Sequence, residues 1–212
     1  MLMDYIVMGL TSGITWIPLY LVLFYVVMRN NETMSQIMLV VCGAALCVLL
    51  ADGITDGFVK PYVARWRPSN DPIIKYTIQV VDNLRGTDYG FFSAHAANTM
   101  SLAVFFSLLV RSRKMTLMLL AWSLTNCWTR LYLGLHYPSD ILCGLLLGLV
   151  VGLLVYVLYL KTYRRISPEI TYISNQYTST GYDHDDVDTV LSVVVLTLVL
   201  VLIHALVTTY YI

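Results

Sequence analysis

Charge is what this chain has least of. Only 12% of its 212 residues are Asp, Glu, Lys or Arg, where soluble domains carry about 25%. So few charges cannot cover an exterior facing water, and an ordinary cytosolic domain is excluded. The thirteen basic and thirteen acidic residues cancel to a net charge of zero, which removes the electrostatic footprint of a nucleic-acid binder. Cysteine is scarce as well. Cys42, Cys47, Cys127 and Cys143 fall in or beside apolar runs, with no C-x-x-C pair and no metal-ligand spacing, so they read as packing residues. No carboxylates cluster beside the histidines as a divalent-metal site demands, which predicts chemistry without metal or other cofactor. The N-terminal MLMD lacks a basic n-region, so no cleavable signal peptide is expected.

What is present is apolar sequence in long runs, 58% of the residues being hydrophobic with a mean hydropathy of +0.72. A hydrocarbon core of about 30 Å takes roughly 20 helical residues to cross. Six stretches are of that order: Tyr5 to Met28, Met34 to Phe58, Ala94 to Val110, Met115 to Leu133, Ser139 to Leu160 and Val190 to Tyr211. The expected fold is an all-α integral membrane protein, a six-transmembrane-helix bundle forming one membrane domain over residues 1–212. Within the longer connection Lys60 to Gly90, the run PIIKYTIQVVDNL puts Ile74, Ile78, Val81 and Leu84 on one helical face and Lys75, Gln79 and Asp82 on another. That pattern predicts an interfacial helix on the membrane surface. The other long connection, residues 161–189, is polar, rich in Tyr and closed by the acidic run DHDDVD, after which 190–211 is the final transmembrane helix. His184 in that run reads as a solvated loop residue. His204, the tryptophans and the terminal Tyr210 and Tyr211 read as packing and interfacial residues.

Orientation follows from Lys and Arg in alternate connections. One side holds seven, namely Arg29, Arg111, Arg113, Lys114, Lys161, Arg164 and Arg165, and the other holds Lys60, Arg65, Arg67, Lys75, Arg85 and Arg130. Most of the second group cluster in the segments that carry the candidate site described next, so the seven-residue side is assigned to the cytoplasm. The 161–189 loop is then cytoplasmic, and the Lys60 to Gly90 loop faces the exterior or periplasm.

Polar residues at membrane depth are costly and mark function by default. Here they are Lys60, Arg67, Ser93, His95, Arg130, His136 and Asp140, and the span assignment brings all seven to one face. Three cations, two histidines, a carboxylate and a serine at a helix start are the parts of a phosphate site. Arg offers a planar donor fork, Lys a point charge, and a helix start offers free N–H groups. His136 and Asp140 are four apart, so the carboxylate can orient one ring nitrogen and leave the other as a nucleophile. His95, from another helix, is placed to protonate a departing alkoxide. Asp52 and Asp56 fall at four-residue steps before Lys60, where ion pairing would hold the lysine. Arg65 reads as a headgroup or structural contact.

These residues resemble a known family. KPYVARWRP (Lys60 to Pro68), FSAH (Phe92 to His95) and TRLYLGLHYPSD (Thr129 to Asp140) are similar to the three-part signature K-x6-R-P, P-S-G-H and S-R-x5-H-x3-D of the type 2 phosphatidic acid phosphatases. The resemblance covers residues 50–152 and implies a phosphatidic acid phosphatase type 2 core. It implies His136 as a nucleophile forming a phosphohistidine, Asp140 as its partner, His95 as the acid, and Lys60, Arg67, Ser93 and Arg130 as the phosphate cradle. Phe92 and Ala94 stand where the family has Pro and Gly, and Thr129 where it has Ser. A Gly at position 94 would permit backbone angles that Ala resists.

The function this implies is a membrane lipid phosphatase acting on a phosphomonoester or pyrophosphate, with membrane lipids as its surroundings and no nucleic-acid partner. Similarity of VKPYVARWRPSNDP and SAHAANT to the lipid A branch favours lipid A dephosphorylation. Undecaprenyl pyrophosphate and phosphatidate or phosphatidylglycerophosphate are the competing substrates. A non-catalytic lipid phosphate binding or transport protein and a vanadate haloperoxidase are the competing classes. The sequence does not specify an oligomeric state.

Overall fold

The structure, a computed structural model, describes residues 1–86, 89–166 and 175–211. Among these the elements are helices: α1 Leu2–Thr11, α2 Ile17–Arg29, α3 Met34–Ile54, α4 Lys60–Val63, α5 Ala94–Val110, α6 Arg113–Tyr132, α7 Pro138–Ile166 and α8 His184–Tyr211. Their starts are written locally. Pro18 lies in the first turn of α2 and Pro138 opens α7, positions where the missing N–H has no helical partner to lose. Thr33 and Gln36 form a reciprocal capping box at the start of α3.

Three helical units are long and apolar enough to cross a membrane: Met34–Val63, Pro138–Ile166 and His184–Tyr211. The outward faces of α7 and α8 leave Leu146, Leu154, Leu196 and Leu200 each more than half exposed, a continuous apolar surface that only lipid or protein can cover. Helix α5 is shorter, at 17 residues. It is the central helix, packed against α3, α6 and α7 and buried around most of its circumference.

The α5–α7 contact is unusually close because α7 presents glycine every fourth residue. A Cβ added to Gly144, Gly148 or Gly152 would lie 2.6, 2.5 and 2.7 Å from the backbone oxygens of Ser93, Ala97 and Ser101. Small residues at that spacing let two helix backbones approach inside a membrane. The approach sets Ser93 and His95 on α5 against His136 and Asp140 at the head of α7.

Four expectations need correcting. The stretch Tyr5 to Met28 is not one straight helix but α1 and α2, bent by 65° at Ser12 and Gly13. Side chains take up the carbonyls this break frees, since Trp16 Nε1 donates to Leu10 O at 2.9 Å and Thr15 Oγ1 to Gly9 O at 2.6 Å. The Pro72 to Leu84 run is not an interfacial helix. It consists of turns and a short 3-10 segment, Val81–Asn83. Asp82 and Asn83 have φ of 50° and 54°, which no right-handed helix continues through. Val81 and Leu84 pack instead on Val7, Leu133 and Leu135, so the run covers the ends of α1 and α6.

The non-helical part of 161–189 is also shorter than expected. α7 extends to Ile166 and α8 begins at His184 rather than Val190, while residues 167–174 lie outside the described ones. Much of the acidic run is not solvated. Asp186 is 1% exposed and meets Arg29 at 3.2 Å and Asn30 at 2.7 Å, although His184 itself is exposed. Finally, the face Asp52–Asp56–Lys60 is interrupted by a π-helical turn, Thr55–Val59. The extra residue in that turn shifts everything beyond it around the axis.

Candidate active site

His136 lies in the tight connection between α6 and α7, where Gly134 turns the chain at φ +63°. Its Nδ1 is 2.8 Å from the carbonyl oxygen of Gly90. A carbonyl only accepts, so Nδ1 carries the proton and Nε2 is left with its lone pair. Arg67 Nη1 lies 3.2 Å from Nε2 and also donates to Leu135 O at 3.2 Å. Burial pushes the imidazole below its ordinary pKa and the Arg67 charge adds to this, while Asp140 pulls in the opposite direction. The neutral, nucleophilic form is thereby favoured near neutral pH.

Asp140 is fully buried. Its Oδ2 accepts from the Tyr137 N–H at 2.9 Å and stands 3.7 Å from His136 Nδ1. The orienting hydrogen bond to His136 thus comes from the Gly90 carbonyl, with Asp140 just behind it supplying charge. Asp140 Oδ1 accepts from Arg65 Nη1 at 2.8 Å. Arg65 also donates to Ser139 Oγ at 2.8 Å and lies 4.2 Å over the Tyr137 ring. Of the two readings of Arg65, headgroup or structural contact, the second matches this geometry. The sequence offered no signal for the Gly90 carbonyl, which is backbone. A Cβ on Gly90 would stand 3.3 Å from both Asp140 Oδ2 and Arg67 Cγ, a tight contact that the glycine avoids.

Ser93 caps α5, accepting from the Ala96 N–H at 3.4 Å, and its own N–H donates to Asp140 O at 3.1 Å. Ala94 begins the helix and is not among the residues of positive φ. Alanine therefore fits this backbone without strain. His95 is exposed at the site, and the cations whose fields reach it are Arg130, Lys60 and Arg67. Lys60 is buried and pairs with Asp56 at 2.6 Å. Asp52 does not share that role, because the π-helical turn separates them and its Oδ1 accepts from Asn98 Nδ2 at 2.6 Å. Arg130 Nη2 donates to Thr11 O at 3.2 Å, at the bend between α1 and α2. Its Nε is buried without a hydrogen-bond partner.

Cations from α3–α4, the following loop and α6 therefore converge with two histidines on the N-terminal end of α5. The arrangement suits a tetrahedral dianion, with Arg forks and a Lys as donors and a helix start behind them. Among the described residues no three His, Cys, Asp or Glu side chains gather as metal ligands.

Comparison with known proteins gives the family. Two similar proteins are named lipid A 4'-phosphatase. One, from Bacteroides thetaiotaomicron, is 38% identical over 143 residues, covering 66% of this chain and 63% of the relative. The other, from Porphyromonas gingivalis, is 31% identical over 148 residues, covering 69% and 61%. The chain thus matches under two thirds of the length of each. No solved structure shows a significant match. The profile of the PAP2 superfamily matches residues 40–164 and takes in every residue of the constellation. The chain belongs to the PAP2 superfamily.

Proposed function

We propose that this protein is a lipid phosphatase of the bacterial inner membrane that removes a phosphate from lipid A at the periplasmic face. The observation that carries the reading is His136, held by the Gly90 carbonyl with its free nitrogen toward Arg67 and the other cations. The names of the two relatives supply the lipid. The bundle crosses the membrane six times, with α1 and α2 together as the first crossing.

In the first step Nε2 of His136 attacks phosphorus in line as the bond to the lipid oxygen breaks. Arg67, Arg130, Lys60, Ser93 and the first N–H groups of α5 stabilise the equatorial oxygens. Arg67 must release Nε2 for this, and the entering dianion is the stronger acceptor for its donors. The same negative charge offsets the cations facing His95 and favours its protonated form, which donates to the departing alkoxide. In the second step His95 takes a proton from water, whose oxygen attacks phosphorus. The P–N bond breaks, returning neutral His136 and free phosphate. The mechanism uses no metal.

The test is phosphate release by the purified protein in lipid nanodiscs, with EDTA present. Lipid A and undecaprenyl pyrophosphate are offered in parallel, and His136→Ala is the blank. Turnover of lipid A above the blank is expected, and Arg130→Ala should lower the rate on the order of a hundred- to a thousandfold. Turnover of undecaprenyl pyrophosphate alone would replace the substrate. Binding of lipid A without turnover in the wild type would make the protein a carrier.

A further inference from the structure

One cavity of the bundle is not part of the phosphate site. It has a volume of about 490 Å³, with α2 and α3 as its walls and α5 and α6 as its floor. Phe24, Val40, Ala44 and Leu102 are typical of its lining, which is apolar apart from a few groups that include Asn98 and Trp122. Tyr20 and Phe24 at its rim are 43% and 49% exposed, so the cavity opens sideways from the bundle rather than into water. Along α5 its lining runs from Asn98 to Phe106, eight residues or about 12 Å at the helical rise. The upper end, at Asn98, begins one turn below His95.

Two polar atoms of this lining are left without partners. Asn98 Oδ1 and Trp122 Nε1 are buried and make no hydrogen bond within the protein. They share a level in the bundle, because the neighbouring Thr99 and Ser123 are hydrogen-bonded at 2.9 Å. An unpaired acceptor and an unpaired N–H in hydrocarbon are each costly. A carbonyl would accept from Trp122, and an amide N–H or a hydroxyl would donate to Asn98. An acyl chain joined to a sugar carries such groups at its head and hydrocarbon below.

We propose that this groove binds one acyl chain of the lipid whose phosphate occupies the site, with the chain's polar head beside Asn98 and Trp122 and its tail between α2 and α3. The proposal rests on the lipid phosphatase reading. A tail gains little by exchanging bilayer for an apolar protein wall, so the groove contributes by orientation. Fixing the chain one turn below His95 limits where the attached phosphate can sit, and placement is what an in-line attack requires.

Two measurements test it. The first compares an acylated glucosamine 4-phosphate carrying long chains with its acetyl counterpart, in wild type and Ala44→Phe, a change that fills the groove without removing a core side chain. The expected result is a drop in kcat/KM of about tenfold or more for the long-chain compound and no change for the acetyl one. Equal losses for both, or no loss for either, would overturn the proposal while leaving the phosphatase reading intact. The second needs no turnover. A long-chain probe with a photoreactive group at the chain end is crosslinked to His136→Ala, beside a probe lacking the phosphate. Labelling in α2 and α3 that depends on the phosphate supports the groove even if the wild type releases no phosphate. Equal labelling by both probes means that bulk lipid fills the groove, and the proposal fails.

Discussion

Arg65 shows how much of the site depends on a residue outside the signature. Asp140 is a fully buried carboxylate, and such a charge is tolerable only when paired and hydrogen-bonded. Arg65 supplies the pair, the Tyr137 N–H the second bond, and stacking on Tyr137 fixes the guanidinium plane. Arg65→Met should therefore lower kcat by about ten- to a hundredfold, the range seen when a group orienting a reactive side chain is removed, with KM changed less. Arg65→Lys should recover part of the loss. Steady-state kinetics of both variants check this, and a pure KM effect would instead make Arg65 a contact for the substrate. The Asp71 carboxyl, which accepts from the Ile73 N–H and the Tyr137 hydroxyl, is held below its ordinary pKa by them in that order. It anchors the other edge of Tyr137.

At the scale of elements, the site is assembled by helix ends and the contacts that fix their heights. The bend after α1 leaves the Thr11 carbonyl free to hold Arg130, and the π-helical turn after α3 delivers Lys60 and Asp56 as a pair. Neither break disturbs packing alone, since each places a cation. The glycine stripe of α7 sets the separation from α5. Gly148→Val would force a side chain into the Ala97 carbonyl and cost about 1–3 kcal/mol by overpacking. Because Ser93 and His95 ride on α5, activity should fall together with the melting temperature of the protein in detergent. Retained activity at a lowered melting temperature would show that the helix separation does not set the site.

Across the whole molecule, two ends of different character are separated by the bundle. One end carries the proposed phosphate site. The other ties α8 down through Arg29 with Asp186 and Lys114 with Asp188 at 2.6 Å, and it belongs to the side richer in Lys and Arg. Acidic groups count little in setting orientation, so these ion pairs do not alter the proposal that the seven-residue side faces the cytoplasm. A cysteine placed at Lys75 should react with a membrane-impermeant maleimide added to intact spheroplasts, and one at Arg164 only after permeabilisation. The opposite pattern would place the site in the cytoplasm and exclude a periplasmic substrate.

Apolar runs of spanning length and the spacings K-x6-R and R-x5-H-x3-D lie along the chain itself, and they determine the helical membrane character and mark the residues of the candidate site. Hydrophobicity and helix period act locally, so a sequence displays them. The Asp52–Asp56–Lys60 face shows where that reasoning stops, because one extra residue in a turn moves Asp52 onto Asn98. The Pro72 to Leu84 run shows it again, since its apolar residues suit a helical face but find better burial on α1 and α6. The Gly90 carbonyl beside His136, the pairing of Arg65 with Asp140 and the groove between α2 and α3 depend on segments far apart in sequence. Backbone oxygens and empty space leave no residue pattern, so only the packing of the helices decides them.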